Sequence, residues 1–237
     1  MSSKIIPCIY GRSSSGKSTI IAALAMFCRQ SLFYDEDIDN VKSFQLLDRW
    51  IKGLETIGEF PEGTALTTFQ QVNFGFHTSD AERILLHFLE VAGEHLKGLE
   101  PGFRSDDKIP PELKTWLERF NRLLLVLPSD AAHEDITGAS HFLRYAQRLK
   151  PGVPTCLVRS KWDLISDGQR AVLDRRFIML SRQLTHLQQQ YGDQFAIIDF
   201  SIGVIRRSET STRLERFLPD NGTQQLLAWI TRPEDFR

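Results

Sequence analysis

The chain has 237 residues, of which 41% are hydrophobic and 25% charged, as is typical of a globular protein that buries a full core. Its formal net charge of −1 argues against broad, salt-driven binding to nucleic acid, which needs a basic surface. The sequence contains no apolar stretch as long as a membrane span, no signal peptide and no lipid-attachment box. We therefore expect a cytoplasmic protein without a membrane anchor or a nucleic-acid partner.

Apolar runs alternate with helical patterns along the chain, which indicates a parallel sheet with crossover helices. The predicted strands are Ile5–Tyr10, Phe69–His77, Ile84–Glu90, Leu123–Pro128, Thr155–Arg159 and Phe195–Phe200. The predicted helices are Lys17–Gln30, Val41–Leu54, Glu112–Arg122, Ser140–Leu149, Gln169–Gln190 and Thr223–Thr231. The fold class predicted from this order is α/β, in three α/β/α layers with a mostly parallel six-stranded sheet.

The first strand is followed by a phosphate-binding motif. Residues Gly11, Arg12, Ser13, Ser14, Ser15, Gly16, Lys17 and Ser18 match G-x-x-x-x-G-K-[ST], and Thr19 continues into the first helix. Backbone N–H groups of such a loop surround a β-phosphate at a helix N-terminus, while Lys17 bridges the β- and γ-phosphates and Ser18 binds Mg²⁺. The alternative is a serine-rich turn after a buried strand. The motif in this context predicts a P-loop NTPase fold that binds a nucleotide.

Polar groups also follow two later strands. Glu90 ends the strand Ile84–Glu90 and is followed by Gly93 and Glu94. An acid at this position can hold Mg²⁺ through a water, and a glycine N–H can reach the γ-phosphate. Ser160, Lys161, Trp162 and Asp163 follow the strand Thr155–Arg159. A carboxylate at Asp163 can accept from two guanine donors while the stem of Lys161 covers the ring, or Asp163 can simply cap the next helix.

These residues resemble the D-x-x-G and [NT]-K-x-D elements of Ras-like P-loop GTPases of the translation-factor-related class. The Val-Ala-Gly-Glu string and the additional helix are similar to the bacterial double-GTPase group. Within this family, Ser201, Ile202 and Gly203 lie where a backbone N–H meets the guanine O6. Glu90 replaces the usual aspartate, and Ser160 lacks the amide that ties the base loop to the phosphate loop, although its hydroxyl can still bond a backbone carbonyl.

The resemblance also implies a catalytic apparatus. Thr64 is the preferred switch ligand to Mg²⁺, and Thr67 is the alternative. The metal ligands would then be Ser18, Thr64 and Glu90. The catalytic group would comprise Lys17, Thr64, Gly93, Glu94 and His95, with Glu94 or His95 acting on the attacking water. Arg12 lies within the phosphate loop, where an arginine could assist in cis.

The whole sequence thus predicts a single Ras-like GTPase domain over 1–237, with an inserted helix near 35–60 and an extended loop near 97–111. An antiparallel strand is expected at the edge of the sheet beside the switch. The predicted function is a GTP- and GDP-binding, Mg²⁺-dependent molecular switch that hydrolyses GTP slowly and acts on an unidentified effector or regulator protein. A nucleotide-binding module without hydrolysis, or a P-loop ATPase or phosphotransferase, are the alternatives.

Overall fold

The computed structural model describes residues 2–12, 14–35, 41–62, 70–78, 82–92, 111–161, 165–208 and 211–232. The strands are β1 Ser2–Ile5, β2 Pro7–Gly11, β3 Phe33–Asp35, β4 Gln70–His77, β5 Arg83–Ala92, β6 Arg122–Pro128, β7 Thr155–Ser160, β8 Phe195–Asp199, β9 Gly203–Arg207 and β10 Thr212–Phe217. The helices are α1 Lys17–Ser31, α2 Val41–Lys52, α3 Pro111–Leu117, α4 His133–Leu149, α5 Asp167–Tyr191 and α6 Thr223–Ile230. Within these ranges no helix is long and apolar enough to cross a membrane.

One large sheet organises the fold, with the strand order β3-β4-β5-β2-β6-β7-β8 and β1 paired to β5. The pairs from β5 through β2, β6 and β7 to β8 are parallel, while β4 runs antiparallel to β5 and to β3. Parallel strands place their carboxyl ends at one edge, where ligands of open α/β sheets bind. The strand that precedes the phosphate motif, β2, lies in the middle of this edge.

Side chains alternate between two hydrophobic cores, one on each face of the sheet. On β2, Ile9 joins the core formed with α1, α2 and α6, whereas Cys8 and Tyr10 join the core formed with α3, α4 and α5. The same alternation explains the continuously apolar run Leu123–Leu127 on β6, which is buried on both faces. The predicted α/β fold class, with a mostly parallel sheet between two helical layers, is confirmed, and the described sheet has eight strands where six were predicted.

The inserted segment after α1 covers the antiparallel edge of the sheet. Helix α2 ends in a short π-helical turn, Gly53–Ile57, rather than continuing as α-helix to Leu54. The Ser43 hydroxyl accepts a hydrogen bond of 2.6 Å from the N–H of Asn73 on β4, and both residues are buried. This bond satisfies a backbone donor that β3, which pairs only with Gly75–His77, leaves free.

Several boundaries differ from the sequence prediction. The first predicted strand is divided into β1 and β2, because Pro7 has no N–H and the Ile6 N–H bonds the Asn121 side chain instead. Helix α3 stops at Leu117 because Arg122 already begins β6, and α4 begins seven residues before Ser140, at His133. Strands β1 and β3 and the antiparallel hairpin β9–β10 were not predicted. The division of 1–237 into domains stays a prediction.

Candidate nucleotide site

Lys17 is buried beneath the loop that joins β2 to α1. Its ammonium Nζ donates hydrogen bonds to the carbonyl oxygens of Gly11, at 2.8 Å, and Arg12, at 2.9 Å. Gly16 reverses the chain before the helix with a left-handed φ of 95°. Only 3% of the Lys17 side chain is exposed, so its charge is held at the helix N-terminus, where the helix dipole also favours an anion.

Glu90 lies beside this lysine because β5 is the neighbour of β2 in the sheet. Ile9 of β2 pairs with Glu90 of β5, and the Glu90 carboxylate reaches across to the first turn of α1. The Ser18 hydroxyl donates to both carboxylate oxygens, at 3.0 and 3.2 Å, and Lys17 Nζ lies 3.9 Å from one of them. The carboxylate side chain is 1% exposed.

The donor chemistry at Ser18 and Glu90 fits Mg²⁺. A hydroxyl and a carboxylate are hard oxygen ligands, and Mg²⁺ is commonly bound by one or two such protein groups together with phosphates and waters. Within the described part of the chain, no cluster of three or more His, Cys, Asp or Glu side chains could hold a metal by itself. A metal at this position would take its other ligands from the nucleotide, from water or from Thr64, which lies outside the described residues.

Ser160 connects the end of β7 to the phosphate loop. Its hydroxyl donates a 2.5 Å hydrogen bond to the carbonyl oxygen of Ser15, and the serine is 2% exposed. The neighbouring strand end is held by the Ser129 N–H, which donates to the Ser160 carbonyl at 3.0 Å. The Ser160 hydroxyl thus makes the hydrogen bond to a loop carbonyl that the sequence allowed, without the amide of the resembled motif.

Arg12 turns away from the phosphate loop toward α4. Its guanidinium makes ion pairs with Glu134, at 3.1 Å, and Asp135, at 2.7 Å, in the first turn of that helix. The Asp135 carboxylate also accepts from the N–H of Ala132, which caps α4. Because two carboxylates hold the guanidinium here, the structure does not bring the Arg12 side chain into the cavity described next.

A cavity of about 510 Å³ runs from the phosphate loop to the ends of β7 and β8, a volume within the usual range for small-molecule sites. Its walls are formed by Ser14, Gly16, Lys17, Ser18, Thr19, Phe60, Pro61, Glu90, Asp130, Ser160, Lys161, Phe200, Ile202, Ile205, Arg207 and Thr212. Of the residues predicted for the phosphates and the metal, six line the same cavity as the predicted base-loop residues Ser160, Lys161 and Ile202, namely Ser14, Gly16, Lys17, Ser18, Thr19 and Glu90. Gly11 and Ser15 support the loop from behind, through their carbonyl groups.

At the far end of the cavity the structure distinguishes Ser201 from Ile202. The Ser201 N–H already donates to the Asn221 carbonyl at 3.0 Å, and Ser201 does not line the cavity. Ile202 does line it, and its N–H has no hydrogen-bond partner among the described residues. Lys161 adopts a left-handed φ of 56°, and its ammonium lies 3.5 Å from the Asp130 carboxylate. Ile202 is thus the better placed of the two predicted residues to donate to a base.

Seven of the predicted residues lie outside the described part of the chain, and their roles stay predictions. They are Ser13, Thr64, Thr67, Gly93, Glu94, His95 and Asp163. Sequence reasoning in turn missed seven cavity residues, namely Phe60, Pro61, Asp130, Phe200, Ile205, Arg207 and Thr212. Asp130 had a detectable signal, because it lies just past the carboxyl end of a predicted central strand. Phe200 is the last residue of the predicted strand Phe195–Phe200, and the others belong to a loop and a hairpin without a motif.

Comparisons with known proteins place the chain only distantly. No protein-family model matches it, and no curated protein matches its sequence. Among solved structures, it is similar to a bacterial selenocysteine-specific elongation factor EF-Sec, with a TM-score of 0.43 and 12% sequence identity. The matched region covers 82% of this chain and 25% of that protein, so the chain spans about a quarter of the length of this neighbour. At this distance the likeness carries no inference about activity.

Proposed function

We propose that this chain binds GTP and GDP with Mg²⁺ and hydrolyses GTP slowly, as a molecular switch read by a protein partner. The observation that carries the proposal is the meeting of Lys17, Ser18 and Glu90 at one end of a cavity whose other end is lined by Lys161 and Ile202. A phosphate chain fits the cationic end beside the helix N-terminus, and a base fits the end where the Ile202 N–H has no partner among the described residues.

The residues of the phosphate end have separable roles. Lys17 supplies a buried positive charge whose position is set by the Gly11 and Arg12 carbonyls, so little reorganisation accompanies phosphate binding. Ser18 and Glu90 would hold Mg²⁺. Bound there, the metal would neutralise phosphate charge and orient the phosphates toward an attacking water. Positioning of that water is proposed for Gly93, Glu94 and His95, and closure over the metal for Thr64.

Slow hydrolysis follows from the position of the one arginine in the phosphate loop. Arg12 is engaged by Glu134 and Asp135, so it does not stabilise charge that develops on the γ-phosphate. A Ras-like enzyme without an arginine at that place turns over on the order of 10⁻⁴ to 10⁻³ s⁻¹, and a partner-supplied arginine raises the rate by about 10³ to 10⁵. The same observation supports the second candidate, a nucleotide-binding module that does not hydrolyse at all.

Release of phosphate from GTP in the presence of Mg²⁺ tests the proposal. We expect slow release by the wild-type protein and none above background for Lys17→Ala. Lys4→Ala removes the same charge from an exposed position on β1 and should leave the rate unchanged. GTP that binds but stays intact after long incubation would replace the switch with the non-hydrolysing module. Release that is equal in wild type and Lys17→Ala would contradict the assignment of this loop.

A further inference from the structure

The β9–β10 hairpin forms an outer wall of the candidate nucleotide cavity. Ile205, Arg207 and Thr212 line the cavity from this hairpin. Residues at alternate positions of a strand share a face, so Ile205 and Arg207 point to the same side of β9 while Arg206 points to the other. Thr212 lies directly across from Arg207 in the antiparallel register. One face of the hairpin is therefore turned toward the ligand.

The position of this hairpin is fixed by backbone hydrogen bonds at its base and along its side. At its base, the Leu218 N–H donates to the Ile202 carbonyl at 3.1 Å. Along β10, the Leu214 N–H donates to the Gly58 carbonyl at 2.8 Å, two residues before Phe60, which also lines the cavity. The hairpin thus holds its inner face beside the cavity as a fixed wall.

Among the described residues, the two carboxylates of the cavity wall pair with its two lysines and not with Arg207. Three cationic side chains and two carboxylates contribute to the described wall. Lys17 lies 3.9 Å from Glu90, and Lys161 lies 3.5 Å from Asp130. Arg207 has no carboxylate within ion-pair distance among the described residues, whereas its neighbour Arg206 pairs with Glu215 at 3.7 Å outside the cavity. A guanidinium has only donors, so its ligand must be an acceptor, and an anion is favoured.

We propose that Arg207 binds the phosphates of the nucleotide from the hairpin wall of the cavity that Lys17 also lines. This inference rests on the proposed nucleotide binding and adds a second cationic anchor to Lys17. The phosphate chain would then be held between a buried lysine on one side and an exposed arginine on the other.

The test compares two adjacent arginines with two ligands. Wild type, Arg207→Ala and Arg206→Ala are titrated with GDP and with guanosine, in Mg²⁺ at low and at physiological salt. Loss of one charge-assisted contact at an exposed site predicts about a tenfold weaker GDP affinity for Arg207→Ala and less than a twofold change for Arg206→Ala. Guanosine, which has no phosphate, should bind both variants as it binds wild type. The difference in GDP affinity between wild type and Arg207→Ala should also shrink as the salt concentration rises.

Each remaining outcome is decisive. Equal GDP affinities for the two variants would overturn the role of Arg207 and leave the proposed function standing. If Arg207→Ala weakened the affinity for guanosine as much as the affinity for GDP, the role of Arg207 would also be overturned. Arg207 would then contact the nucleoside or stabilise the hairpin itself. Arg207→Lys, which keeps the charge, should recover part of the affinity. A wild-type protein that binds neither GDP nor guanosine would overturn the proposed function, and this inference with it.

Discussion

At the scale of single residues, Ser160 is the side chain that joins the two halves of the candidate site. Its hydroxyl bonds the Ser15 carbonyl in a buried position, so removing it leaves that carbonyl without its partner. We expect Ser160→Ala to cost about 1 kcal/mol of unfolding free energy and to weaken GDP binding several-fold. Chemical denaturation and calorimetric titration measure the two effects. Ser31→Ala, at an exposed position on α1, should change neither quantity. A GDP affinity unaffected by Ser160→Ala would show that the hydrogen bond between Ser160 and Ser15 does not contribute to nucleotide binding.

The three cysteines give a second prediction at this scale. Cys8, Cys28 and Cys156 are free and fully buried, and burial raises the pKa of Cys8 to about 12 and raises the pKa of the other two thiols as well. The thiolate is the reactive species, so the native protein should be inert to a thiol-specific reagent at pH 8. All three thiols should react once the protein is unfolded in denaturant. Fast reaction of any of them in the native state would contradict the packing of the two cores.

At the scale of elements, α2 is attached to α1 through Asp48. Its carboxylate accepts from Arg29 at 3.4 Å and lies 2.7 Å from the Lys52 ammonium, and chiefly the Lys52 contact lowers the pKa of Asp48. A depressed folded-state pKa stabilises the protein above the unfolded-state value, and this contribution is lost as pH falls through the folded-state value. We expect Asp48→Asn to cost about 0.5 kcal/mol at pH 7 and progressively less below about pH 4.

Thermal unfolding at several pH values measures this difference. Glu55→Gln, which neutralises an exposed carboxylate in the adjoining π-helical turn, serves as the control. The difference in unfolding free energy between this variant and wild type should not shrink as pH falls. A gap between wild type and Asp48→Asn that stays constant from pH 7 to pH 3 would show that the charge of Asp48 is not what stabilises α2.

The junction between the inserted segment and the hairpin depends on the absence of a side chain at Gly58. Its φ is 69°, and a Cβ there would come within 2.3 Å of the Leu214 carbonyl oxygen. Gly192 has a similar φ of 73° but open space around it, so the two positions share the conformational cost and differ in the clash. We expect Gly192→Ala to cost about 1–2 kcal/mol and Gly58→Ala about 1–3 kcal/mol more. Equal losses of unfolding free energy for the two variants, measured by denaturant unfolding, would mean that the hairpin is not packed on Gly58.

At the scale of the whole molecule, the sheet could be predicted from sequence because its strands are buried on one or both faces. The run Leu123–Leu127 is a clear example, since nothing but a covered strand accounts for it. The hairpin β9–β10 escaped prediction because most of its residues are exposed and carry charges such as Arg206, Arg207 and Arg213, so no apolar alternation marks it. The first turn of α4 escaped for the same reason, since His133 and Glu134 face solvent.

The residues of the candidate site also differ in whether the sequence alone could reveal them. The phosphate loop has a motif because its backbone geometry demands particular residues at fixed spacing, and Glu90 could be found because it ends a strand next to that loop. The walls contributed by Phe60 and Arg207 could not be found, since they reach the cavity only through tertiary packing of an insertion and a hairpin. Motifs thus predicted residues at two ends of the cavity, and only the fold revealed what encloses it.

The central claim is that the cavity binds a guanine nucleotide, and a calorimetric titration tests it most directly. Nucleotide-free protein is titrated with GTP, GDP and ATP in Mg²⁺, as wild type, as Asp163→Ala and as Asp220→Ala, which removes an exposed carboxylate elsewhere. We expect GTP and GDP to bind wild type and Asp220→Ala, ATP to bind neither, and Asp163→Ala to abolish guanine binding. Equal binding of ATP and GTP, unchanged by Asp163→Ala, would contradict the account.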